Sequence, residues 1–145
     1  IVEKDSILNL LDNEFVVIAC GGGGIPVIKT QDGYKGVDAV IDKDFASALL
    51  AESVDAKYLF ILTAVDRVSL NYGKPDEIKL EKISVTDAEK YCAEGHFAAG
   101  SMLPKVKAGI KFAKSKKGRR AVIASLEKAP LAIRGLSGTI IEDAD

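Results

Sequence analysis

Tryptophan is absent, and histidine and methionine occur once each, as His96 and Met102. Aromatic side chains make up only 6% of the chain, so its core has to be built from Ile, Leu, Val and Ala. The two cysteines, Cys20 and Cys92, form no C-x-x-C pair, and a single histidine cannot complete a zinc site with them. Neither a disulfide framework nor a structural metal is expected, and both thiols read as reduced. There is no excess of one charge: 20 basic residues face 21 acidic ones, for a net charge of −1. That balance argues against a dedicated nucleic-acid or anionic-membrane binder, so neither partner is expected. Long apolar runs are lacking too. Residues 15–20 and 58–65 fall far below the roughly 18 residues a membrane helix needs. Glu3, Lys4 and Asp5 stand where a signal peptide would have a basic start and an apolar core, so none is expected. The chain opens on Ile1, already inside an amphipathic pattern, and reads as a piece of something longer.

What is present is an ordinary globular composition: 145 residues, 48% hydrophobic and 28% charged. A chain of this length buries roughly two thirds of its unfolded surface, which suffices for a core without staples. Ile7, Leu8, Leu10 and Leu11 predict a first helix. Residues 15–19 form an apolar run and predict a strand buried on both faces. Four glycines and Ile25-Pro26 then break regular structure, and Asp32-Gly33 signals a hairpin between Val27-Ile28 and Tyr34-Lys35. A helix is expected over 45–54 after Asp42-Lys43-Asp44, and a second buried strand over 58–62. Residues 71–75 read as a turn and 79–83 as an edge strand. Thr86 is the expected cap of a helix ending near Gly95. Ser101 is the expected cap of another, which tolerates Pro104 in its first turn and runs to about Lys114. A third strand over 121–124, a short helix over 126–133 and a last strand over 139–141 complete the pattern. Alternating strands and helices predict one α/β domain with a mainly parallel sheet and helices on both faces.

Chemistry has few places to go in this pattern. The run Gly21 to Gly24 follows a strand-like segment, where α/β sheets bind ligands, and glycines let backbone amides approach an anion. It is not a dinucleotide fingerprint, because Pro26 stands where the third glycine belongs, and no Gly-Lys-Ser/Thr follows. Ligand contact and a tight structural turn both remain open for it. Lys43 between Asp42 and Asp44 reads either as a capped surface lysine or as a cation at a helix N-terminus facing a phosphate. Lys105 lies about half a turn from the stripe of Lys107, Lys111 and Lys114, beside the apolar face of its helix, a position open to either reading. The stretch 105–120, with eight basic residues and no acidic one, resembles a nucleic-acid patch, but its single aromatic, Phe112, falls near the apolar face, and a solvated helix face is the favoured reading. His96 has no nucleophile nearby in sequence and reads as structural.

These signals fall into one resemblance. IACGGGGIPV over 18–27 resembles the central glycine segment of carbamate kinases, and VIDKDFASALLA over 40–51 is similar to the same family's IDKDxAxxLLA stretch. LTAVDRV over 62–68, followed by LNYGKP over 70–75, resembles its LTAVDxVxLNxGxP segment. FAAGSMLPKV over 97–106 and GLSGTI over 135–140 are similar to its FxxGSMxPKV and GxxGTxI motifs. The motifs come in the family's order and cover nearly the whole chain. The resemblance implies the amino-acid-kinase fold, with residues 1–145 matching its carboxyl-terminal, nucleotide-binding half. The family's amino-terminal domain, with its GGNA loop and a further lysine, has no counterpart here, which implies that this chain alone does not turn over substrate.

The implied reaction is reversible phosphoryl transfer between carbamoyl phosphate and ADP, giving ATP and carbamate, with magnesium. Lys43 and Lys105 would be the cations along the phosphates and Asp44 would orient them. Ala64, Val65, Asp66, Tyr72 and Met102 would form the nucleoside pocket, and Gly22, Gly23 and Gly24 would face carbamoyl phosphate. No residue is implied as a dedicated metal ligand. Family members are cytoplasmic dimers of arginine breakdown, which implies a homodimer for the intact enzyme. A uridylate or acetylglutamate kinase relative, and a non-catalytic nucleotide-binding fragment, are the alternatives.

Overall fold

The computed structural model describes residues 1–143. After helix α1 (Lys4–Asp12) comes a hairpin of β1 (Val27–Thr30) and β2 (Gly33–Gly36), then helix α2 (Lys43–Ser53) and strand β3 (Tyr58–Thr63). A two-residue hairpin, β4 (Ser69–Leu70) with β5 (Ile78–Lys79), precedes β6 (Lys82–Ser84), α3 (Val85–Ala93) and α4 (Met102–Lys114). Strand β7 (Arg120–Ser125), the short α5 (Ala129–Ile133) and β8 (Thr139–Glu142) follow.

The main sheet has the order β3-β7-β8-β6. β3 pairs with β7, and β6 with β8, in parallel, while β7 and β8 run antiparallel. Alternation decides what each face covers. Leu59, Ile61, Ala121, Ile123 and Ile141 point toward α2, α3 and α4, where Phe112 and Val106 are fully buried. Phe60, Val122, Ala124 and Ile140 point the other way, toward Ala132 of α5. Gly109 lets α4 lie close on the sheet: a Cβ there would meet Ile141 Cδ1 at 3.0 Å and Ala121 Cβ at 3.2 Å. The core is not built from aliphatic residues alone, since Phe97 and Phe112 are buried in it, but the rest is close aliphatic packing of helix on sheet.

The expected strands over 58–62, 121–124 and 139–141 are present with small extensions, as are the helices over 45–54 and up to Lys114. The hairpin is present too, but its two-residue turn is Gln31-Asp32, and Gly33 pairs with Thr30. The edge strand expected over 79–83 divides between β5 and β6, which belong to different sheets. Ser84, not Thr86, caps α3, its hydroxyl accepting from the Asp87 N–H at 3.0 Å. Ser101 holds the cap position of α4 without a side-chain cap bond. The short helix begins at Ala129, so Leu126 precedes it.

The strand expected over 15–19 does not form. Val17 and Ala19 are half-buried and border α1 and α2, while Val16 and Ile18 are 96% and 98% exposed. A strand needs a neighbour for its backbone N–H and C=O groups, and no described strand pairs with this segment. No described helix is long and apolar enough to cross a membrane.

Candidate functional site

The site is built where β3 ends and α2 and α4 begin. Asp42 caps α2, its carboxylate accepting from the Asp44 N–H at 2.8 Å and from the Phe45 N–H at 3.4 Å. This cap directs Lys43 and Asp44 into the first helical turn. The glycine loop lies against the same point. A Cβ on Gly23, whose φ is +132°, would stand 2.1 Å from the Ile41 carbonyl oxygen and 3.3 Å from the Lys43 nitrogen, so only glycine fits. Gly22 and Gly24 are exposed beside it.

Lys105 is in the first turn of α4. Its ammonium donates to the Asp44 carboxylate at 2.9 Å, and both side chains are largely buried, 13% and 10% exposed. Residues 61 positions apart are thereby joined across the starts of two helices. A charge-assisted bond of this kind holds a flexible ammonium in one geometry. Lys107, Lys111 and Lys114 are exposed on the other stripe, where Lys114 pairs with Glu89. Lys43, next to Asp44 in sequence, is exposed and has no described hydrogen-bond or ion-pair partner.

One turn before Lys105, Met102 borders a cavity of about 280 Å³. Ala64 and Val65 line it from the loop after β3, and Tyr72 from the tip of the β4–β5 hairpin. Asp66 is not in the lining; it pairs with Lys128, joining the loops that follow the parallel strands β3 and β7. The lining also includes His96, Phe97 and Ser101, from the loop between α3 and α4, and Arg67 and Ser69 at the base of the hairpin. From the sequence, His96 reads as structural and Ser101 as a helix cap, and none of the five is expected in the pocket. The FAAGSM wording around Phe97 and Ser101 was the available signal, whereas His96 has a neighbourhood set only by the fold. Its ring meets Tyr91 edge-on at 5.7 Å.

The hairpin tip is tied by its own polar groups. The Asn71 side-chain amide donates to Asp76 at 2.7 Å and the Gly73 N–H to Glu77 at 3.1 Å. The Gly73 bond, then one from Ser69, holds the Glu77 carboxyl below its usual range. Away from the site, burial pushes the Cys92 thiol up, and both cysteines are free.

The arrangement offers an apolar, partly aromatic cavity on one side and two helix starts with two lysines on the other. Helix N-termini and ammonium groups favour anions. The chemistry of the donors does not suit a protein-held divalent cation: no cluster of three His, Cys, Asp or Glu occurs among the described residues, and Asp44 is already engaged by Lys105.

The family model described as "Amino acid kinase family" matches residues 1–125. Over 141 residues the chain is 56% identical to the carbamate kinase of Clostridium perfringens, covering 97% of this chain and 45% of that protein. It is 53% identical to a carbamate kinase-like protein of Escherichia coli, covering 97% of this chain and 46% of that one. Among solved structures, the carbamate kinase from Giardia lamblia bound to AMP-PNP matches with a TM-score of 0.94 at 46% identity, over 99% of this chain and 50% of that one. The chain therefore spans about half the length of these relatives. With the match running from residue 1 to residue 125, the chain belongs to the amino acid kinase family.

Proposed function

We propose that residues 1–145 are the carboxyl-terminal, nucleotide-binding half of a carbamate kinase, a phosphotransferase that moves a phosphoryl group reversibly between carbamoyl phosphate and ADP. The observation that carries this reading is the Asp44–Lys105 bond, 2.9 Å long, joining the starts of α2 and α4 beside the cavity. Similarity to carbamate kinases over 97% of the chain supports the choice of phosphoryl donor.

Phosphoryl transfer asks a protein mainly for positioning and for positive charge around the transferring group. In this reading the nucleoside enters the cavity between Ala64, Val65, Tyr72 and Met102. Its phosphates extend toward Lys105 and Lys43, and the exposed amides of Gly22 and Gly24 face the carbamoyl phosphate side. Asp44 fixes the Lys105 ammonium, so little reorganisation is needed as charge develops. Magnesium, when bound, would neutralise phosphate charge. It would arrive on the nucleotide's phosphates and water, as this ion commonly does, since the described residues provide no cage for it.

The test is Lys105→Met in an enzyme of this family carrying both halves and this segment, with Lys107→Met as control. Loss of a preorganised cation should lower kcat more than it raises KM, by roughly 10²–10³-fold, or about 2.7–4 kcal/mol. Lys107→Met should be near silent. Equal, small effects from the two would show that the phosphate site lies elsewhere.

A further inference from the structure

Gly138-Thr139 belongs to a sequence motif that the phosphate and nucleoside reading leaves without a role. Thr139 opens β8 and is fully buried, a polar side chain in an aliphatic core. Its hydroxyl oxygen accepts from the Val68 N–H at 2.8 Å and donates to the Leu80 carbonyl at 2.5 Å. Those two residues are the root of the β4–β5 hairpin. The hairpin pairs Leu70 with Ile78 and Ser69 with Lys79, and the next step of that register sets Val68 opposite Leu80. A hydrogen-bonded antiparallel pair exchanges two N–H···O bonds. One of them is direct, from the Leu80 N–H to the Val68 carbonyl at 2.8 Å. The other is replaced by a relay: Val68 N–H to Thr139 hydroxyl to Leu80 carbonyl. A side chain from the main sheet thus stands inside the ladder of a separate hairpin.

That hairpin carries one wall of the cavity, through Ser69 at its base and Tyr72 at its tip. The bonds made by Asn71 and Gly73 fix the shape of the tip but run only to Asp76 and Glu77, within the hairpin. They do not set where it stands relative to the sheet. Tyr72 is 67% exposed, so it has little packing of its own to hold it. The Thr139 relay connects the root of the hairpin to β8 at a fully buried point.

We propose that Thr139 is a positioning residue for the nucleoside cavity. Its hydroxyl completes the Val68–Leu80 pair and holds the hairpin at one angle to the sheet. Ser69 and Tyr72 are thereby kept opposite Ala64 and Met102. The proposal rests on the nucleotide reading of this cavity and adds to it a residue that touches no ligand.

The 145-residue chain is compared with its Thr139→Val and Thr139→Ser variants by amide hydrogen exchange and by titration with ADP. Valine keeps the branched shape and removes both bonds, whereas serine keeps the hydroxyl. In Thr139→Val, exchange at Val68 and over 69–80 should rise about tenfold, with rates over 121–125 and 106–113 unchanged. The ADP Kd should rise about fivefold to tenfold, as expected for roughly one net hydrogen bond. Thr139→Ser should stay near the parent on both readouts. Unchanged hairpin exchange in Thr139→Val overturns the tether. Equal behaviour of the two variants, or acceleration spread evenly over β7 and α4, shows a general packing role instead. Faster hairpin exchange at unchanged ADP affinity removes Thr139 from the workings of the cavity. Failure of the parent chain itself to bind ADP, with hairpin exchange responding as expected, overturns the nucleotide reading and with it this role, while the relay stands.

Discussion

β7 and the segment 15–19 each carry a short apolar run, yet one lies in the middle of the sheet and the other stands largely in solvent. Residues 121–125 of β7 are all buried, between β3 and β8 and under α4. Val16 and Ile18 are almost fully exposed. The difference lies in partners, not in composition. Hydrophobicity rewards burial only where a second surface is available, and backbone polar groups favour a strand only where a ladder can satisfy them. The chain spans about half the length of its carbamate kinase relatives, and its two apolar runs have met very different surroundings.

The largest expected effect comes from truncating one isoleucine in each run. Ile123→Ala opens a cavity in a fully buried site and should cost about 2–5 kcal/mol of stability in urea unfolding. Ile18→Ala, at a 98% exposed position, should fall within about 0.5 kcal/mol of the parent. Similar losses for the two would break the comparison, because they would mean that Ile18 is packed in the folded protein.

A smaller effect sharpens the comparison at the start of β7. There Arg119, buried against the Phe112 ring, donates to Asp55 at 2.8 Å, and Lys116 reaches the same carboxylate at 2.7 Å. Hydrogen bonds from Lys116, then Arg119, hold the Asp55 carboxyl below its ordinary value of 3.8. A carboxyl lowered on folding stabilises the folded state above its unfolded pKa and loses that contribution as pH falls through the folded one. Asp55→Asn should therefore lower Tm at neutral pH and show a shallower loss of Tm on acidification below about pH 4. Parallel Tm-against-pH curves for the two proteins would show that the pair does not contribute.

Patterning made much of this fold legible. The helices α2 and α4 follow from apolar residues at helical spacing and β3 and β7 from continuous apolar runs; Asp32-Gly33 signals the β1–β2 hairpin, though its turn lies one residue earlier, at Gln31-Asp32. The fate of 15–19 was not legible, because the same run signals a strand whether or not a neighbour exists. Ser84 and Thr86 are both good caps by residue type, and only the path of the chain selects Ser84. At the site, the angular position of Lys105 separated it from the exposed lysines, but its bond to Asp44 depends on two helix starts meeting in space. His96 lines the cavity because the loop after α3 brings it there, and Asp66 turns to Lys128 because two strand ends lie side by side. The Val68–Thr139–Leu80 relay is tertiary throughout: its hydroxyl lies 71 and 59 positions from its two partners.

The central claim, that a nucleotide occupies the cavity at the end of β3, has a direct test in the chain's single methionine. Met102 lines that cavity, and as the only methionine it gives one assigned signal when its methyl group is labelled. Titration with ADP should shift the Met102 methyl resonance in a saturable manner, together with the amides of Ala64, Val65 and Tyr72. An unmoved Met102 signal, with ADP-dependent shifts gathered instead at Leu50 and Val54 in the groove between α1 and α2, would contradict it.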